Sequence, residues 1–395
     1  SGEHDLSENI IHLVLAKVPG SPEGTKGISM FIVPKFVVND DSSLGGHNKV
    51  NCISIEEKLG IHGSPTCVME YDGSVGYLIG EENMGLNYMF TTINEARIRA
   101  GGHGLACTSG ALQGASQYAR DRVQGRPVGM TKEEAKDSTI IDHADVRRTL
   151  MTIKSYLDAM RYMNYDNHLM LDLEYFAEDE LKDFGKERCR ILTPITKAWI
   201  SDLSVELTSM AIQVYGGMGY VEETGIAQYF RDARIAPIYA GTNGIQAEDL
   251  VFRKITLNDG KAVESLLKEM RTNISSLKEH ENLEPLSEIL ERHVAEIEEA
   301  TQYLLKELGK GKGNLAGVSA SGTPYLKMFG QVLGGHYMGK AAVTATKNLL
   351  EDNAEFYNDK ITLSKFYIEQ LLPLASSFFS SVMLGKENLY SIDSN

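Results

Sequence analysis

Gln213-Val214-Tyr215-Gly216-Gly217-Met218-Gly219-Tyr220, then Phe230-Arg231-Asp232-Ala233-Arg234, then Ile238-Tyr239-Ala240-Gly241-Thr242-Asn243-Gly244-Ile245-Gln246 are the segments on which the fold reading turns. The first ends a long helical pattern, Arg188–Tyr215, on a run of glycines that stops a helix. It follows a helix and not a strand, so it is not the dinucleotide-binding GxGxxG turn. The third opens a further helical stretch, Ala240–Lys254, entered at Gly241-Thr242-Asn243, where a Thr or Asn side chain can cap the first turn.

Upstream of these segments the apolar period is helical over Met84–Gln124, which stops at Gly125-Arg126-Pro127, and again over Ile140–Leu173. The polar stretch Met130–Ser138 between them reads as a loop insertion. Earlier still, His12–Val18, Ile28–Pro34, Val50–Ile55 and Cys67–Tyr71 are short β-branched runs separated by turn residues such as Pro19-Gly20 and Gly63-Ser64-Pro65. Downstream, Leu257-Asn258-Asp259-Gly260 marks a linker, and 262–310 and 323–384 are helix-like, split by the Gly- and Ser-rich Gly311–Gly322. The expected fold class is mainly α with a partial β domain: β structure over 1–76, a helical bundle over 77–256 and a further helical domain over 262–395.

Composition narrows the function. The formal charge of -15 over 395 residues excludes nucleic acid as the main partner, since a phosphate surface needs excess Lys and Arg. A few local arginines can still bind a phosphorylated small ligand. No apolar run reaches the roughly 20 residues that span a bilayer. The four cysteines (Cys52, Cys67, Cys107, Cys189) contain no CxxC pair, which suits a reducing, cytoplasmic compartment and neither a disulfide framework nor a zinc site. His12, His62, His103 and His143 lack metal-ligand spacing and receive no role.

The three opening segments, in that order, resemble the signature of the acyl-CoA dehydrogenase family: a Q-x-x-G-G-x-G-Y helix end, R-D-A-R, then I-Y-E-G-T and I-Q. Lys58–Thr66, Gly80-Glu81-Glu82-Asn83-Met84-Gly85, Asn94-Glu95-Ala96-Arg97 and Tyr118–Arg126 match family segments too, so the resemblance covers about residues 1–255. The β part is thereby similar to a remnant of the family's middle, barrel-like β domain. The remaining stretch is similar to the extra helical domain of a larger-subunit branch acting on short or methylthio-substituted acyl-CoAs.

That resemblance implies a bacterial, cytoplasmic FAD enzyme of fatty-acid β-oxidation that desaturates an acyl-CoA thioester between its α and β carbons. The family takes the α proton with a buried glutamate and passes the β hydride to the flavin. By matching position, Arg122, Gln124, Gln213, Gly216, Gly217 and Thr242 fall where the family holds FAD, and Arg97, Tyr239 and Gly241 fall near the substrate. A flavin shared between subunits implies a homo-oligomer, a dimer or larger, and an electron-transfer flavoprotein is the family's usual electron acceptor.

Two departures stand out. Tyr239-Ala240-Gly241-Thr242 replaces Y-E-G-T, so Ala240 occupies the position of the glutamate base and has no proton acceptor. Loss of a positioned base costs on the order of 10²–10⁴-fold in rate. Glu95 is the only nearby substitute, one residue from the alternative position at Ala96 and thus turned about 100° around the helix. The resemblance also begins inside the middle β domain, so the chain reads as the C-terminal two-thirds of a family member, its leading Ser1-Gly2 being either a tag residue pair or part of a T-x-G turn. Three readings remain open: a dehydrogenase whose base was replaced by Ala240, a naturally base-less binding or partner subunit, and a cofactor-free helical scaffold.

Overall fold

Alternating and β-branched runs in the first third form strands, and the 3.6-residue periods that follow form helices, as side-chain geometry requires. A computed structural model describes residues 2–349, 353–387, 389 and 391. Ser1 and, within the expected last domain, residues 350–352, 388, 390 and 392–395 lie outside the described residues. The chain divides into two units, 1–96 and 97–395.

In the first unit, β1 (Ile11–Lys17), β2 (Ile28–Pro34) and β7 (Tyr77–Ile79) make a three-stranded antiparallel sheet in the order β1-β2-β7, with Leu13 opposite Ile32 and Phe31 opposite Leu78. Two further pairs, β3 (Phe36–Val38) with β4 (Leu44–His47) and β5 (Val50–Ile55) with β6 (Cys67–Tyr71), each carry an irregularity of register. No closed barrel forms among the described residues. Asn48 ties the pieces together: its amide nitrogen donates to the Pro34 and Val75 carbonyls at 2.8 and 2.9 Å, and the Val75 N–H donates back to its oxygen at 2.8 Å.

The second unit holds most of α1 (Gly85–Asp121), then α2 (Ala144–Phe176), α3 (Asp179–Tyr215), α4 (Ile226–Ala233), α5 (Asn243–Asp249), α6 (Lys261–Lys278), α7 (Glu284–Gly309), α8 (Leu315–Lys347), α9 (Ala354–Phe366) and α10 (Ser376–Leu384). One apolar core runs through it from Ile98 to Val382. At its centre α3 is buried on every side over 191–201, and α8 over 328–339, as befits helices surrounded by others. Glycines on α8 let large side chains come close: a Cβ at Gly330 would lie 2.3 Å from Trp199 Cγ, and one at Gly334 2.2 Å from the Tyr367 hydroxyl.

Several boundaries differ from the sequence reading, each for a physical reason. The helix expected from Arg188 starts at Asp179, because its first turns (Asp179, Glu180, Lys182, Asp183) are solvated and carry little apolar period. Gly311–Gly322 is mostly not a break: α8 is already helical from Leu315, with Val318 buried and the Ser321 hydroxyl donating to the Val382 carbonyl at 2.7 Å. Tertiary packing there overrides the poor helix propensity of Gly and Ser. The helix expected from Ala240 begins at Asn243, leaving Tyr239–Thr242 as a turn, and it widens into a π-helical turn over Leu250–Lys254. Leu257–Gly260 turns through left-handed Asn258, Asp259 and Gly260.

Candidate functional site

The glycine stop of α3 and the end of α1 meet around one cleft of about 650 Å³. It is lined by Arg122, Gln124, Gln213, Gly216 and Gly217, five of the six residues matched above to the cofactor, and also by Tyr118, His143, Asp145 and Tyr215. Local hydrogen bonds set the wall. The Arg122 N–H closes the last turn of α1 on the Tyr118 carbonyl at 2.9 Å, and the Arg122 carbonyl accepts from the Ile140 N–H at 2.8 Å. His143 Nε2 lies 3.0 Å from the Gln124 carbonyl oxygen. In its lining Tyr118 and Tyr215 stack on each other with centroids 4.2 Å apart and planes 16° from parallel.

Gly216 ends α3 with φ 58° and ψ −138°, a conformation that no residue with a Cβ adopts without strain. The side chains of Arg122, Gln124 and Gln213 are exposed, and none has a hydrogen-bond or ion-pair partner among the described residues. The cleft thus presents an uncommitted guanidinium, two uncommitted amides, a glycine backbone and an aromatic pair. That donor set fits a pyrophosphate joined to flat ring systems.

Thr242 does not line this cleft; it precedes α5 in a second arrangement, the turn Tyr239–Thr242. Ala240 has φ 55°, unusual for a residue with a Cβ, and strain of this kind gathers at functional turns. Its carbonyl accepts from Arg97 Nε at 3.4 Å, while Arg97 NH1 reaches the buried Asp249 carboxylate at 3.4 Å. Asp249 also takes Arg253 at 2.6 Å and Lys254 at 3.6 Å. Burial lowers the Arg97 pKa, with Asp249 opposing it and Arg253 adding to it. Gly241, at φ +88°, holds a backbone conformation that strains a residue with a Cβ, and a Cβ would lie 2.9 Å from Gln246 Nε2, which donates to the Gly241 carbonyl.

Beneath the turn, Asn243 is a hydrogen-bond hub. Its amide nitrogen directs one hydrogen to the Asp202 carboxylate at 2.6 Å and has Ser201 Oγ at 3.0 Å and the Ala198 carbonyl at 3.2 Å to share the other, and its oxygen accepts from Lys197 Nζ at 2.8 Å. Lys197 is fully buried, and desolvation pulls its pKa down to about 8 against the pull of Asp202. On the other side the Tyr239 hydroxyl lies 2.9 Å from His103 Nδ1. Glu95 belongs to the first unit and is partly buried.

Sequence reasoning missed His143, Asp145, Tyr118 and Tyr215 as lining residues, and Lys197, Asn243 and His103 beside the turn. Tyr118 and Tyr215 were within reach, since both sit inside the matched segments; the others depend on chain crossings that no local pattern shows. Among the described residues no group of three His, Cys, Asp or Glu side chains is arranged to hold a metal ion, and no helix is long and apolar enough to cross a membrane.

Two family models match the chain: acyl-CoA dehydrogenase, C-terminal domain, over residues 83–254, and acetyl-CoA dehydrogenase C-terminal like, over residues 266–393. The chain belongs to the acyl-CoA dehydrogenase family. A 3-methylmercaptopropionyl-CoA dehydrogenase of Ruegeria pomeroyi is 37% identical over 383 residues, 96% of this chain and 64% of the relative. A butyryl-CoA dehydrogenase of Syntrophomonas wolfei is 33% identical over 387 residues, covering 94% of this chain and 62% of that protein. The chain therefore spans less than two-thirds of the length of these curated relatives. Among solved structures, Caenorhabditis elegans ACDH-11 in complex with C11-CoA has a TM-score of 0.72 at 21% identity, over 92% of this chain and 57% of that one. An acyl-CoA dehydrogenase from Bacillus anthracis complexed with FAD also scores 0.72, at 19% identity, over 96% of this chain and 62% of that one. At such identities the two structures speak for the shared fold alone.

Proposed function

We propose that this chain is the cofactor- and thioester-binding part of a flavin-dependent acyl-CoA dehydrogenase, with Ala240 standing where the family has its glutamate base. The observation that carries the reading is the convergence of Arg122, Gln124, Gln213, Gly216 and Gly217 on one cleft with their polar groups uncommitted. In this reading Arg122 neutralises the FAD pyrophosphate, Gln124 and Gln213 donate to it, and Gly216 and Gly217 let it approach the backbone. The flavin, when bound, accepts the hydride leaving the acyl β carbon. Thr242 faces the cofactor from the start of α5, and Tyr239 and Gly241 border the thioester. Arg97 serves by bracing the turn, since its guanidinium is already engaged with Asp249 and the Ala240 carbonyl.

Support also comes from the relatives, which are named as dehydrogenases of acyl-CoA thioesters. By the same reasoning a short acyl-CoA is the substrate class, an electron-transfer flavoprotein the acceptor, and a homo-oligomer the working form. The test restores the carboxylate. Ala240→Glu in the flavin-loaded protein should bleach flavin absorbance with butyryl-CoA at least ~100-fold faster than the parent, the usual worth of a positioned base. Equal rates across a range of acyl-CoAs would refute the assignment of position 240.

A further inference from the structure

Beside Ala240 the structure holds an acid–base pair that the reading above leaves unused. His103 extends from α1 and Tyr239 immediately precedes Ala240, their polar atoms 2.9 Å apart. The rings meet edge to face, with centroids 5.9 Å apart at 85°. Tyr239 is 38% exposed, so the pair can be reached from outside, while His103 is partly buried behind it.

We infer that Tyr239 and His103 together form the proton acceptor of this site, a slow substitute for the carboxylate that Ala240 lacks. The inference rests on the acyl-CoA reading above. In the step it describes, the acyl α C–H bond breaks and its proton forms an O–H bond with Tyr239 Oη. The hydroxyl's own proton passes to His103 Nδ1, leaving an imidazolium, and the electron pair stays on the acyl α carbon. Reversal in D₂O returns a deuteron to that carbon, so exchange reports the step with no net oxidation.

The surroundings suit this division of labour. A tyrosine alone is a poor acceptor at neutral pH, and burial raises the Tyr239 pKa further, with Cys107 adding to it. Burial lowers the His103 pKa from its ordinary value, outweighing Asp232, so the ring is neutral and able to accept at pH 7. The titratable groups facing the pair are Asp232 from α4 and Cys107 from α1. Cys107 is pushed up to about 11 by burial and stays a thiol, so it does not compete.

The experiment follows deuterium entry at the α carbon of butyryl-CoA in D₂O, using the flavin-loaded parent, His103→Gln, Tyr239→Phe and Ala240→Glu. Far-UV circular dichroism checks that each variant is folded. The parent should exchange measurably, at a rate that rises with pH as His103 loses its proton and then levels. His103→Gln and Tyr239→Phe should each slow exchange at least ~100-fold, and Ala240→Glu should exceed the parent. Independently of exchange, NMR titration of His103 should show its pKa moving up in Tyr239→Phe, because the hydroxyl's hydrogen bond stabilises the neutral ring. If Ala240→Glu exchanges while the parent is silent, or if the two pair variants match the parent, the pair is not the acceptor and the acyl-CoA reading survives. If no form exchanges, the acyl-CoA reading fails and this inference with it.

Discussion

The two glycines at the end of α3 allow backbone strain and cofactor contact to be separated. Gly216 has φ 58° and ψ −138°, and a Cβ there meets nothing within 4 Å. Gly216→Ala therefore tests conformation without a clash, and a residue forced into such a region costs about 1–3 kcal/mol. Gly217 has no positive φ and likewise open space around a Cβ, so Gly217→Ala should change stability by less than about 0.5 kcal/mol, or raise it slightly by restricting the unfolded chain. That open space belongs to the cleft that Gly217 lines. If FAD sits there as proposed, a methyl group at Gly217 should cost its binding about 1–3 kcal/mol, the usual range for overpacking a close contact. In affinity this is roughly a 5- to 150-fold rise in Kd. Urea unfolding followed by circular dichroism gives the first quantity, and flavin fluorescence titration gives the second. Gly217→Ala binding FAD as tightly as the parent would refute the close-approach argument. Gly216→Ala as stable as the parent would refute the strain argument.

Other consequences concern the buried framework. Lys197 loses its proton near pH 8 in the folded state but at about 10.4 in the unfolded chain, so the unfolded state binds more protons in between and stability rises with pH across that window. Lys197→Met should abolish that rise, seen by comparing urea midpoints at pH 7 and 9.5, and should cost about 1–3 kcal/mol at pH 7, since the Asn243 oxygen loses its lysine donor. An unchanged pH dependence would contradict the burial of its charge. Gly330→Ala places a Cβ 2.3 Å from Trp199 Cγ and should lower stability by about 2–3 kcal/mol in the same assay; a loss under about 0.5 kcal/mol would show that α8 does not press on α3 as described.

What could be read from the sequence and what could not divide along physical lines. Val50–Ile55 and Cys67–Tyr71 have the strand limits expected, because β-branched runs bounded by turn residues need little tertiary help. Phe36–Val38, Leu44–His47 and Tyr77–Ile79 were not anticipated: they are three or four residues long, and Leu44-Gly45-Gly46-His47 has no alternation to detect. The start of α8 was hidden by glycine and serine that only packing makes helical. The stop signals placed Arg122, Gln124, Gln213, Gly216 and Gly217 at two helix ends, but only the resemblance singled them out together, and the structure sets those five around one cleft. Lys197 with Asn243, 46 residues apart, and His103 with Tyr239, 136 residues apart, were not legible, since a buried polar contact of that separation leaves no periodic trace.

The account depends on the cleft between the ends of α1 and α3 being the seat of the FAD pyrophosphate, and Arg122 is its most telling residue. Equilibrium titration of FAD against the parent and Arg122→Ala measures this directly. A lost charge-assisted hydrogen bond is worth about 1.5–3 kcal/mol, so Kd should rise roughly 10- to 150-fold. Equal affinity in the two proteins would contradict it.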